Sequence, residues 1–248
     1  MTFSSLGAKD VVSMALIRGL TCLFLLTGCS SENLFEGQTE ETEDEAARAL
    51  LEKEDWDGAI TAYEALIAKE PSEYFRFPLL AAAYAGRSGV SVLAIMEGVI
   101  NSAASGGGGD GGVISAIGNH VPPEPTDAQM SDIRAAILRV EAMPQDHRSG
   151  TAYSYSSETS TQLTIYFGAE SAMILNKYTP EETDAVTAED LENMSDAEVD
   201  AMIANISSMA EAGGEDLGPA AEEALAAINS AEGATQKEKL INYLSENG

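Results

Sequence analysis

Asp146, His147, Arg148 and Ser149 set an acid, an imidazole and a hydroxyl side by side, the three groups of a hydrolytic relay. Working relays are assembled in space from separate segments, because neighbours in one loop rarely converge on a common reactive atom. Their adjacency speaks against catalysis. His120 is the other histidine, and no ligand-type spacing joins it to His147. Glu170 falls in the middle of an apolar run, but no second acid stands in register with it for paired acid–base work. A bond to Arg134 or Arg139 would satisfy that carboxylate. Gly106-Gly107-Gly108-Gly109-Asp110-Gly111-Gly112 has the backbone freedom of a phosphate cradle, yet lacks the preceding strand and the Lys-Ser/Thr pair after the glycines. It is expected to be a flexible loop. No catalytic residue, metal site or cofactor is assigned, and the chain is expected not to be an enzyme.

Charge narrows the partners further. With 13 Lys and Arg against 41 Asp and Glu, the formal net charge is -28. Binding to nucleic acid relies on cations along the phosphates, so that class is excluded. Docking of a bare protein face on anionic lipid is disfavoured for the same reason. Residues 178–236 hold 15 acidic residues and no Lys or Arg. A solvated acidic face, suited to saline surroundings, is one explanation; divalent-cation or cationic-partner binding is the other. Asp184 to Asp190 resembles the end of an EF-hand loop, but the Asp-x-Asp-x-Asp-Gly ligand set is missing.

The two cysteines, Cys22 and Cys29, lie in the first thirty residues. Arg18 precedes the apolar run Leu20 to Leu26, which is too short to span a bilayer. Leu26-Thr27-Gly28-Cys29 follows, then Ser30-Ser31-Glu32. This order resembles the bacterial lipobox, which implies that residues 1–28 are a signal peptide and that Cys29 carries lipid as the mature N-terminus. Cys22 would leave with the leader, so the mature chain would hold no free thiol or disulfide. Either Met1 or Met14 could be the start. Ser30, rather than Asp, after the cysteine resembles the outer-membrane sorting signal of diderm bacteria. The implied location is the outer membrane, facing the periplasm and attached through the lipid alone. Residues 29–44, rich in Ser, Glu and Thr, are an acidic tether in this reading.

The remaining elements are expected to be helical throughout. Apolar stripes at helical spacing run through residues 41–54, then from Asp57 as N-cap to Pro71, then 72–85 ending at Gly86, then 90–104. Residues 105–125 form a Gly/Pro-rich break. Thr126 caps a helix that ends at Pro144, residues 151–161 are expected to be loop, and Gln162 to Lys177 form a central core helix. Capping boxes at Thr179/Glu182, Thr187/Asp190 and Ser195/Glu198 start helices in the acidic region from 179, Pro219 opens another at its first position, and Thr235 caps the last. The fold class is all-α.

Within residues 45–104, Ala59, Tyr63 and Pro71 resemble the second helix of a tetratricopeptide repeat, and Phe77, Leu80, Ala81 and Tyr84 resemble the first helix of the next. Glu43, Ala46, Leu93 and Glu97 depart from the pattern, leaving one good and one degenerate repeat that region 126–248 must complete as a helical bundle. The resemblance implies a scaffold or adaptor whose concave face binds a protein or peptide partner in the cell envelope. Tyr74, Arg76 and Arg87 are then the partner-binding residues. The layout resembles lipoproteins of the barrel-assembly machinery and of tripartite solute transporters, by fold-level analogy. The alternative is a small-ligand-binding helical lipoprotein of a solute transport system, with Tyr166 or Tyr178 at the mouth of an apolar pocket.

Overall fold

A computed structural model describes residues 42–92, 94, 95, 97, 117–148, 156–178 and 191–247. The lipobox with Cys29, the tether up to residue 41, the glycine run and the boxes at Thr179 and Thr187 lie outside these residues. Among the described residues every regular element is a helix: α1 (Glu43–Glu52), α2 (Trp56–Lys69), α3 (Arg76–Arg87), α4 (Asp127–Glu141), α5 (Gln145–Arg148), α6 (Ser156–Asn176), α7 (Asp196–Ala212), α8 (Gly214–Ser230) and α9 (Gln236–Asn247). The fold is all-α, and none of these helices is long and apolar enough to cross a membrane. Glu43 and Asp44, which the sequence reading shared between the tether and the first helical stripe, belong to α1.

Each long helix packs chiefly on its neighbours in sequence: α1 on α2, α2 on α3, α3 on α4, α4 on α6, then α6, α7 and α8 in turn. Two apolar clusters result. Ala47, Ala59, Ile60, Tyr63, Leu66, Leu80 and Ala83 fill the space between α1, α2 and α3. A larger core gathers Ala81 and Ala85 with residues of α4, α6, α7, α8 and α9, including Ile133, Tyr166, Met173 and Met202. Leu80 and Ala83 face one cluster while Ala81 and Ala85 face the other, so α3 is the shared wall.

Helix ends differ from the sequence expectation where backbone chemistry overrules periodicity. Asp55, rather than Asp57, caps α2, its carboxylate accepting from Gly58 N–H at 3.1 Å. The third helix starts at Arg76, not Ser72. Pro78 has no N–H, a loss that costs nothing in a first turn but would break the interior of a helix begun earlier. That helix also runs through Gly86 and stops at Gly89, whose φ of 86° supplies the left-handed residue that a Schellman ending needs. The two bonds of that motif are present, Val90 N–H to Ala85 O and Gly89 N–H to Gly86 O, both 3.0 Å. Gly86 has a different purpose: a Cβ there would lie 2.8 Å from the Trp56 ring. Trp56 therefore packs flat on the backbone of α3 where only glycine fits.

Further along, Thr126 and Gln129 form the capping box that starts α4, and Ser195 with Glu198 form the one that starts α7. Residues 156–161 are helix, not loop, and extend the central helix by six residues. Within this stretch Thr159 is buried and Ser160 donates to Ala212 O, and just beyond it Thr164 donates to Ser160 O at 3.0 Å. Pro219 stands inside α8 rather than at its start. Gly218, just before it, lets α8 cross close to α7, for a Cβ there would be 3.0 Å from Ala210 O.

Candidate functional site

The solvent face of α4 and the first turn of α7 border a cleft of about 490 Å³. Asp127, Met130, Ser131 and Arg134 line it from α4, Ser195, Ala197 and Glu198 from the start of α7, and Lys177 from the end of α6. The spacing of the four α4 residues puts them on adjacent turns of one helix face. Met130 is the buried floor. Both walls owe their position to α6, on which α4 and α7 pack from either side.

On the α7 wall, charge is neutralised internally. Glu198 accepts from Lys177 Nζ at 2.8 Å, Tyr178 Oη at 2.6 Å, Ser195 Oγ at 2.6 Å and Ser195 N–H at 3.1 Å. Burial pushes this carboxyl up, but the bonds from Lys177, Ser195 and Tyr178 outweigh it and hold it down at about 2. The same bond to Glu198, with burial, pushes the Tyr178 hydroxyl up to about 12. Glu198 thus ties the end of α6 to the start of α7.

On the α4 wall, Arg134 leans on Glu170. Its Nε donates to Glu170 Oε1 at 2.7 Å, and Asn205 of α7 donates to Oε2 at 3.1 Å. Glu170, 8% exposed in its side chain, is the buried end of this pair, while Arg134 is 51% exposed. One of the two arginines expected to satisfy Glu170 does so; Arg139 instead bonds Glu64 at 2.9 Å. Only Nε is engaged, and on this half-exposed side chain the two Nη groups make no hydrogen bond among the described residues. Asp127 and Ser131 are exposed on the same face.

The residues expected to contact a partner lie elsewhere, and two of them are corrected. Arg76 is 5% exposed. Nε and Nη2 grip Asp44 of α1 at 2.9 and 2.8 Å, Nη1 bonds Leu66 O at 3.1 Å, and Nη2 also pairs with Glu70. It is an internal strut across α1, α2 and α3. Arg87 is likewise occupied: Nε and Nη2 hold Asp132 of α4 at 2.9 and 2.7 Å, and Nη1 holds Asp57 of α2 at 2.7 Å. In a chain so rich in acids, an arginine beside a helix joint finds carboxylates before it finds a partner. Tyr74 is half-buried, its ring 4.4 Å from that of His147 and 6.1 Å from that of Phe77. His147 is thereby an aromatic packing partner in α5. Asp146 accepts from the His147 backbone N–H at 3.1 Å, and Ser149 lies outside the described residues.

Of the two tyrosines expected at a pocket mouth, Tyr166 is corrected as well. It is fully buried in the larger core, its hydroxyl accepting from Gln162 Nε2 at 2.6 Å. Burial pushes its ionisation up, and Gln162 only partly offsets that. Tyr178 adjoins the cleft through Glu198. Sequence reasoning missed the cleft itself, although the Ser195/Glu198 box and a Glu170 bond to Arg134 or Arg139 were legible signals on its two walls. Among the described residues no group of three His, Cys, Asp or Glu side chains could hold a metal ion. Set against protein-family models, curated proteins and solved structures, the chain matches none of them.

Proposed function

We propose that this protein is a non-enzymatic lipoprotein of the outer membrane, facing the periplasm, that works as a helical adaptor for a protein or peptide partner. The observation that carries this is the packing order, in which α1, α2, α3 and α4 close on one another in sequence. Stacked helices of this kind bury continuous core between neighbours and leave one helix face free along the stack. In the adaptor reading the α1–α2–α3 hairpins are degenerate tetratricopeptide-like units, and α4 to α9 complete their core. Cys29, following Leu26-Thr27-Gly28, is the lipidation site. The small-solute alternative loses Tyr166 as a pocket residue and rests on the polar cleft alone.

Metabolic labelling with radioactive palmitate, in wild type and Cys29→Ala, tests the anchor. Label should enter the wild type and be lost in the variant, and an equally labelled variant would refute it. Crosslinking in intact envelopes tests the adaptor role, with a defined protein expected to co-purify. Recovery of none would count against it.

A further inference from the structure

We infer that the partner is read along the exposed stripe Asp127–Ser131–Arg134–Leu138 of α4, as an extended peptide segment carrying one basic, one acidic and one apolar side chain. This rests on the adaptor reading and assigns its contact surface to α4 instead of to Tyr74, Arg76 and Arg87.

Positions 127, 131, 134 and 138 follow one another at steps of four, three and four, so they form a single line down the helix. All four side chains are exposed. No hydrogen bond among the described residues engages Asp127, Ser131 or the Nη groups of Arg134. Leu138 is 62% exposed, one of two exposed large apolar residues among the described residues. The other, Phe75, lies under the Arg76 guanidinium, 5.4 Å from it. Leu138 has no such cover.

Geometry selects the occupant. A small solute is held by polar groups converging on one point. Here the open groups are strung over about 16 Å of helix, taking 1.5 Å per residue. An extended chain advances about 3.3 Å per residue, so roughly five residues span the stripe. Asp127 and Arg134 are then about three peptide positions apart, and Leu138 falls about one or two beyond. The order offered, acid, hydroxyl, guanidinium, leucine, complements a basic residue, an acidic residue and an apolar residue at those intervals. The opposite wall, with Glu198 already neutralised by Lys177, adds shape without competing charge. The net charge of -28 draws in the basic end, while the Arg134 fork offers a carboxylate two parallel bonds.

The test uses exposed positions that do not hold the fold, with Arg134 left in place because Glu170 depends on it. The full mature protein, solubilised in detergent, is the target for selection from a random dodecapeptide phage library. Wild type should enrich peptides with a basic residue, an acidic residue about three positions away and an apolar residue past it. Asp127→Lys should replace the basic preference by an acidic one and weaken a wild-type-selected peptide at least tenfold. Leu138→Asp should abolish the apolar preference, with both variants folded and Asp127→Lys melting only slightly lower, since it gives up a favourable first-turn charge. Identical selections on wild type and the two variants would overturn the assignment to α4. So would the absence of any enriched peptide while envelope crosslinking still recovers a partner, which leaves the adaptor reading standing. Failure of both selection and crosslinking removes both.

Discussion

Glu198 shows how one side chain can bind two helices that the local sequence only hints at. As the capping-box partner of Ser195 it is recognisable from spacing, but its bonds to Lys177 and Tyr178 arise only when α6 and α7 meet. A carboxyl held at about 2, against an ordinary 4.5, binds its proton less readily in the folded state. Its contribution is therefore complete above pH 4.5 and fades as pH falls towards 2. Glu198→Ala should cost roughly 2–3 kcal/mol in urea unfolding at pH 7. The difference between wild type and variant should shrink steadily below pH 4.5. A difference independent of pH over that range would show that the lost cap, not the charge, was responsible. Glu170 illustrates the complementary case. Its need for a cation was legible, with Arg134 and Arg139 both open, because a lone acid in an apolar helix seeks one; the choice of Arg134 and the Asn205 bond were not.

At the scale of elements, helix existence among the described residues was mostly legible and helix ends were not. Apolar periodicity, the caps at Thr126 and Thr235 and the box at Ser195 marked α4, α9 and α7 directly; mutual bonds with Glu238 at 3.1 Å close the Thr235 cap into a box as well. Residues 156–161 escaped because Ser and Thr hydroxyls favour turns unless a carbonyl in the fold accepts them, as that of Ala212 does from Ser160. Gly86 misled in a different way. A glycine at a helical margin reads as a stop, yet the position is dictated by the ring of Trp56 from the neighbouring helix. Inside a helix, Gly→Ala ordinarily stabilises by about 0.5–1 kcal/mol. Gly86→Ala should instead destabilise by about 1–3 kcal/mol, because the added methyl overpacks the Trp56 ring. Thermal melting of the variant decides the sign, and a raised midpoint would show that the ring can move aside. The cleft was illegible for the same reason as Gly86: both depend on which helix lies beside which.

Over the whole molecule, the ion pairs join elements and are not scattered at random. Arg76 links α1, α2 and α3, Arg87 links α2, α3 and α4, and Arg139 reaches Glu64 from α4. Two of the three partner residues expected from sequence, Arg76 and Arg87, are arginines of this set, and their acids lie up to 45 positions away, beyond the reach of local pattern. The all-α class, by contrast, followed from composition and period alone. The packing of Trp56 on Gly86 has one more consequence, for spectroscopy. It is the chain's single tryptophan, and it sits where α2 meets α3, beside the smaller apolar cluster. Its emission reports on that joint alone, whereas far-ultraviolet ellipticity averages over every helix. Because α3 is a wall of both clusters, the two signals should lose their native values at the same temperature. A fluorescence transition well below the ellipticity transition would mean that the hairpins open first, as a separate cooperative unit. The protein thus carries a built-in optical probe at the seam between its two cores.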